Sequence, residues 1–194
     1  MSRQIVIGIA GLARAGKDTV GQDVVLEGVT DGWARWNKTE FADPLKRSLM
    51  LIYDLTYEQM YGDLKEVVDP RWGLSPRVIA QRFGTEVARQ IHTETWIYWT
   101  QRRIVANAAL SWVVSDLRFV NEAEMIRHDL GGQVWWVDRP DAGAGTGQGH
   151  VSENSLHPEN YPFDDMIAND GSLAELRESI RTRLADLDPA LTYA

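Results

Sequence analysis

Short apolar runs and longer amphipathic stretches take turns along this chain. "QIVIGIAG" (4–11) is a β-branched run closing on glycine, the pattern of a buried strand. A helix is expected next, from about Asp18 to Leu26, then a second strand around Thr39 to Ala42. Asp43-Pro44 reads as N-cap and first helical residue of "PLKRSLMLIYDL". "YGDLKEVVDPRWGLS" (61–75) is polar and punctuated, so it predicts a loop. Ser75-Pro76 opens a helix in which Ile79, Phe83, Val87 and Ile91 recur every four residues and should face the core, with Arg77, Gln81 and Gly84 roughly opposite. A further helix is expected over Thr95 to Ala109.

"SWVVSD" (111–116) is the next buried strand, ending at Asp116. A helix from about Asn121 to Leu130 should stop at Gly131-Gly132, and "QVWWVD" (133–138) is another strand. "DAGAGTGQGH" (141–150) carries four glycines and reads as a connector. "DDMIAND" (164–170) is the last strand, and Ser172 with Glu175 forms a capping box for a closing helix to about Leu187. Strand and helix alternating in this way predict an α/β fold, a mostly parallel sheet covered on both faces in three α/β/α layers.

Composition narrows the class. A chain of 194 residues with 44% hydrophobic and 25% charged residues suits one soluble domain, 1–194. The net charge of -8 speaks against polymeric nucleic acid, which needs a basic footprint. There is no cysteine, so disulfides and thiolate metal sites are excluded. No apolar run reaches the roughly 18 residues of a membrane helix. "MSRQIVIGIAG" reads as a first strand and not as a leader, and the eight tryptophans are expected in the core.

The chemistry starts at "GLARAGKDT" (11–19). Gly11, Gly16 and Lys17 fit the phosphate-binding pattern G-x-x-x-x-G-K-[ST], but Asp18 stands where a hydroxyl is usual and Thr19 follows one place late. Loop amides from Gly11 through Ala15 to Thr19 and the positive helix end would cradle ATP phosphates, with Lys17 reaching the β and γ groups. Asp18 is either an oxygen ligand for Mg²⁺ or a helix cap, since both uses suit a carboxylate there. Thr19 could bond the α-phosphate. Arg14 is either a solvated side chain or a cation over the transferring phosphoryl.

Other residues carry paired readings. Lys46 sits in a first helical turn, where a cation opposes the dipole; it either meets a bound phosphate or points to water. Arg77 and Gln81 share a helix face, with Gly84 one turn on and Thr85 beside it. That set is either a nucleotide-binding face or a solvated one. Trp96 either stacks on a base or packs in the core. Asp116 ends a strand where parallel sheets hold ligands, and would hold Mg²⁺ or its water. Arg118 touches a phosphate or pairs with Asp116. Arg139 and the glycine-rich stretch, residues 139–153, form either a water-excluding lid or a surface loop.

Taken in order, "GKDT", "FADPLK" (41–46), "SPRVIAQRFGTE" (75–86), "TWIYW" (95–99), "SDLRFVNEAEMIR" (115–127), "HVSE" (150–153) and "NDGSLAEL" (169–176) resemble the deoxynucleoside monophosphate kinases of tailed bacteriophages, including the T-even type. The resemblance runs from about residue 5 to 187. It implies a P-loop kinase fold, transfer from ATP to a deoxynucleoside monophosphate with Mg²⁺, homodimers and a place in the host bacterial cytoplasm. It also implies acceptor binding in a helical region of about 43–110, through Asp43, Lys46, Arg77, Gln81, Gly84, Thr85 and Trp96, with Asp116 and Arg118 beyond that region, and gives Lys17, Arg14 and Asp116 the catalytic roles. The T-even loop carries a lysine where this chain has Ala13, so that contact does not carry over. Rival readings are a dephospho-coenzyme A or phosphomevalonate type of kinase, or a GTP switch. The switch wants an Asn-Lys-x-Asp reader, and "NKTE" (37–40) lacks the Asp.

Overall fold

In the computed structural model the described residues are 4–30, 36–140, 142–143 and 155–187. They divide into two compact units, one of residues 1–40 with 101–194 and one of residues 41–100.

The first unit is built on five parallel strands: β1 (Val6–Gly11), β2 (Trp36–Thr39), β3 (Ser111–Val114), β4 (Gln133–Asp138) and β5 (Asp165–Ala168), in the order β2-β3-β1-β4-β5. β1 runs beside both β3 and β4, with Val6 opposite Trp112 and Ile7 opposite Gln133. Alternation sets the two faces. Ile7, Ile9, Val113, Trp135, Val137 and Ile167 pack with α1 (Lys17–Thr30) and the closing helix, through Val20, Val24, Leu176, Ile180 and Leu184. On the other face Gly8 lies against Leu117 and Ile126; a Cβ there would come within 2.7 Å of Leu117. Helices on both faces complete the α/β/α layering expected from the sequence.

Several boundaries differ from expectation. The second strand is Trp36–Thr39, ahead of the predicted Thr39 to Ala42, because its register with β3 pairs Trp36 with Ser111 and Thr39 with Val114. β3 ends at Val114, so Asp116 lies two residues beyond the strand. The helix expected from Asn121 is α7 (Val120–Glu124) followed by a π-helical turn, Met125–Asp129, and Gly131 then takes a φ of 60°. The capping box at Ser172 is present: Ser172 N–H donates to Glu175 Oε2, and Glu175 N–H to Ser172 Oγ. It opens the last helix, α8 (Leu173–Leu187). Four tryptophans, 36, 112, 135 and 136, are buried in strands as expected, whereas Trp72 is exposed.

The second unit is helical. α2 (Asp43–Ile52) has Ala42, not Asp43, at its N-cap, because the Ala42 carbonyl accepts the first helical hydrogen bond, from Lys46 N–H at 2.8 Å. Just ahead of the stretch predicted as loop, α3 (Tyr57–Tyr61) starts from a Thr56–Gln59 capping box, and within that stretch a 3₁₀ turn covers Asp63–Glu66. Ser75 caps α4 (Pro76–Gln81) by accepting from Val78 N–H. A π-helical segment, Arg82–Ala88, then leads into α5 (Arg89–Ile91). This widened turn breaks the four-residue repeat. Ile79 is buried and Phe83 packs on the same cluster, but Val87 is 45% and Ile91 80% exposed; Gly84 and Ala88 turn inward instead. α6 (Thr95–Val105) stops four residues before the expected Ala109. Asn107 ends it, its side-chain amide donating to Arg103 C=O.

Candidate active site

The phosphate loop leaves β1 at Gly11 and enters α1 at Lys17. Residues 12–15 form a turn closed by Ala15 N–H to Leu12 C=O at 3.1 Å. Arg14 occupies its third position with φ 67°, a place that favours Gly or Asn, so the loop holds about 1–2 kcal/mol of backbone strain there. Gly16 has φ 94°, and a Cβ on it would run into the Asn169 amide. Lys17 Nζ lies on the loop, donating to Gly11 C=O at 2.9 Å and Leu12 C=O at 2.8 Å. Arg14 and Thr19 are exposed, Ala15 is buried and Lys17 is half-buried.

Two segments brace this loop. Asn169, just past β5, donates its amide to Ala15 C=O at 2.8 Å, and its own N–H goes to Asp138 C=O. Gly143 N–H donates to Ala13 C=O at 2.8 Å, which lays the chain after β4 along the loop. Arg139, exposed at the end of β4, starts that segment. The rest of the expected lid, residues 141 and 144–153 with His150 and Glu153, lies outside the described residues.

Asp18 faces the ends of β2 and β3. Its Oδ1 accepts from Lys38 Nζ at 2.8 Å and from Ser115 Oγ at 3.1 Å, and Lys38 also lies 3.6 Å from Glu40. Gly21 makes room for this: a Cβ there would meet Ser115 Cβ at 3.0 Å and Lys38 Cε at 3.5 Å. A mid-helix glycine is less favourable than alanine by about 1 kcal/mol, so the gap has a cost. Asp116 is half-buried and follows Ser115 directly. Asp18, in the first turn of α1, thus meets the Ser115 hydroxyl just past β3, and Asp116 is the next residue along the chain. Two carboxylates and a hydroxyl are hard oxygen donors, too few for a closed cage but suited to Mg²⁺, which keeps waters and phosphate oxygens. Among the described residues no cluster of three or more His, Cys, Asp or Glu could hold a metal by itself. Arg118 is exposed; its N–H and that of Phe119 are held by the buried Glu122 carboxylate, at 2.8 and 3.1 Å.

In the helical unit, Lys46 Nζ sits 4.5 Å from the Tyr61 ring centre, a cation–π contact, and Arg77 pairs with Glu66 at 3.1 Å. Asp43 opens α2. Gln81 and Thr85 are half-buried on the continuous helical run that carries Arg77. Gly84 is buried against Leu45, where a Cβ would lie 2.8 Å from Cδ2, and its carbonyl accepts from Trp96 Nε1 at 3.2 Å. Gly84 and Trp96 therefore carry packing in this unit, Trp96 lying on the cluster of Leu45, Leu49 and Ile79. A feature the sequence reading passed over is Asp69. Its buried carboxylate accepts from the Arg71 guanidinium, the Arg71 N–H and Gln59, and Arg71 holds its pKa far below the carboxylate range. Arg71 reaches on to Asp54, tying this turn to the end of α2.

Lys38, Ser115 and Asn169 are the sheet-unit residues that sequence reasoning missed. Asn169 had the same signal as Asp116, a polar residue just beyond a strand's carboxyl end. Ser115, directly after β3, had it too, whereas Lys38 had none, because what marks it is a partner 20 residues away.

A glycine loop between the first strand and first helix of a parallel sheet, with a lysine at its end, makes this an α/β/α protein of the P-loop kind. The crystal structure of TT1252 from Thermus thermophilus aligns over 96% of this chain and 99% of its own, at 20% identity and a TM-score of 0.51, and shares the fold. The family model for deoxynucleotide monophosphate kinase matches residues 65–180. A protein of Acanthamoeba polyphaga mimivirus assigned as a deoxynucleotide monophosphate kinase is 31% identical over 91% of this chain and 94% of its own length. The deoxynucleoside-5'-monophosphate kinase of Escherichia phage T5 is 29% identical over 53% of this chain and 42% of its own length. The chain belongs to the deoxynucleotide monophosphate kinase family.

Proposed function

We propose that the protein moves the γ-phosphoryl of ATP onto the 5'-phosphate of a deoxynucleoside monophosphate, giving ADP and the deoxynucleoside diphosphate. An acceptor phosphate oxygen forms the new bond to the γ-phosphorus as the bond to the β–γ bridging oxygen breaks. That acceptor oxygen is ionised at neutral pH, so no general base is required, and alignment and charge neutralisation carry the rate. The observation that carries the reading is Lys17 held at the mouth of the phosphate loop, one residue from Asp18 and its Ser115 partner.

The roles follow from position. Gly11, Ala15, Gly16 and Thr19 wrap the ATP phosphates, Lys17 and Arg14 offset charge on the transferring group, and Arg139 approaches from the end of β4. Asp18 and Asp116, with Ser115, would hold Mg²⁺, which supplies charge neutralisation at the β and γ phosphates when bound. Asp43, Lys46, Arg77, Gln81, Thr85 and Arg118 are assigned to the acceptor. Gly84 and Trp96 shape that surface from within through their mutual hydrogen bond. Exposed Val87, Ile91 and Tyr98 support a homodimer through the helical unit. No described helix is long and apolar enough to cross a membrane, and the cytoplasm holds both proposed substrates.

A panel of deoxy- and ribonucleoside monophosphates, as well as dephospho-coenzyme A, at fixed ATP tests the reading. ADP should form only when a deoxynucleoside monophosphate is present. ADP formation indifferent to the acceptor would contradict it.

A further inference from the structure

The phosphate loop brings a full negative charge to a place where a polyanion is expected. Where the usual pattern has a neutral hydroxyl after its lysine, this chain has Asp18. A carboxylate beside a triphosphate is repelled by it, although solvent at an exposed carboxylate screens much of that repulsion. The fold sets Lys38 against this carboxylate. Its ammonium is 2.8 Å from Asp18 Oδ1, and its side chain is 24% exposed where that of Asp18 is 78% exposed. The Lys38 stem reaches the loop across the gap left by Gly21, and Ser115 Oγ meets the same oxygen from β3. Two segments distant in sequence thus converge on the carboxylate of a third.

We propose that Lys38 is a positioning residue that neutralises Asp18, so that the loop accepts a nucleotide polyphosphate even without a divalent cation. The proposal rests on the reading of this loop as the ATP site. It makes Lys38 and Asp18 a coupled pair, the lysine being needed because of the aspartate. A lysine that touched phosphate directly would be needed whatever stood at position 18. A lysine that only stabilised the fold would shift the melting temperature and leave nucleotide affinity alone.

The test is titration of ATP and ADP in excess EDTA into the full chain, as wild type, K38M, K38R, D18S and D18S/K38M, with a thermal melt of each. K38M should bind about tenfold more weakly than wild type, an exposed partner keeping the effect modest. K38R, which keeps the charge, should stay within about threefold of wild type. Because the two sites are coupled, D18S/K38M should bind within about threefold of D18S. Unchanged affinity in K38M overturns the proposal, as does a D18S/K38M protein about tenfold weaker than D18S. If K38M does not fold, the comparison of D18S/K38M with D18S decides alone. A folded wild type that binds neither nucleotide overturns the kinase reading as well; a wild type that binds, with K38M equal to it, overturns this inference only.

Discussion

The phosphate-loop edge of the sheet unit and the helical run of residues 76–91 both carry candidate binding residues, but they hold them by different means. Along the loop, Gly11 to Lys17 are consecutive, and their backbone is pinned by Ala15, Asn169 and Gly143 hydrogen bonds. In the helical run, Arg77, Gln81 and Thr85 are spread over a helix whose pitch widens at Arg82–Ala88, and their placement depends on side-chain packing such as Leu45 against Gly84. Fixed backbone suits a polyphosphate whose shape does not vary. A packing-set surface can be retuned one side chain at a time, which would suit the acceptor binding proposed for it.

If this contrast is right, the two regions break differently. The largest effect belongs to the loop. Lys17→Ala should lower turnover by about 100- to 1,000-fold while leaving the far-UV circular dichroism unchanged, since a single charge-stabilising donor is lost. In the helical unit the damage should appear as instability. Gly84→Val pushes a branched side chain onto Leu45 and should cost about 1–3 kcal/mol in urea unfolding. A smaller, pH-dependent effect is expected at Asp69. Its folded-state pKa is depressed, chiefly by Arg71, so its stabilisation is complete above the unfolded value near 3.8 and is lost as pH falls below it. Asp69→Asn should therefore melt below wild type at neutral pH, with the gap closing under acid. The least effect on folding should come from Ile91→Ser. At 80% exposure, Ile91 should change monomer stability by less than about 0.5 kcal/mol, while sedimentation should show weaker self-association.

The same contrast explains what could be read from sequence. β1, the phosphate loop and the caps at Ser75 and Ser172 were legible because each is a local pattern whose physics is complete within a few residues. The Thr56–Gln59 capping box was equally local and was overlooked between the segment ending at Leu55 and the polar stretch from Tyr61. The inward turn of Gly84 and Ala88 in place of Val87 and Ile91 was not legible, because one widened turn resets the helical phase and no residue type announces it. β2 was misplaced because "WNKT" has little apolar character of its own and is fixed by pairing with β3. Lys38, Ser115 and Asn169 reach the phosphate loop across 20 to 154 residues, a distance that no spacing rule spans.

The most direct measurement follows the phosphoryl group itself. Incubation with γ-labelled ATP, Mg²⁺ and a deoxynucleoside monophosphate should place the label in the deoxynucleoside diphosphate, one for each ADP formed, and Lys17→Ala should slow formation of that product by about 100- to 1,000-fold. Label released as inorganic phosphate, or equal transfer by the Lys17→Ala protein, would contradict the account.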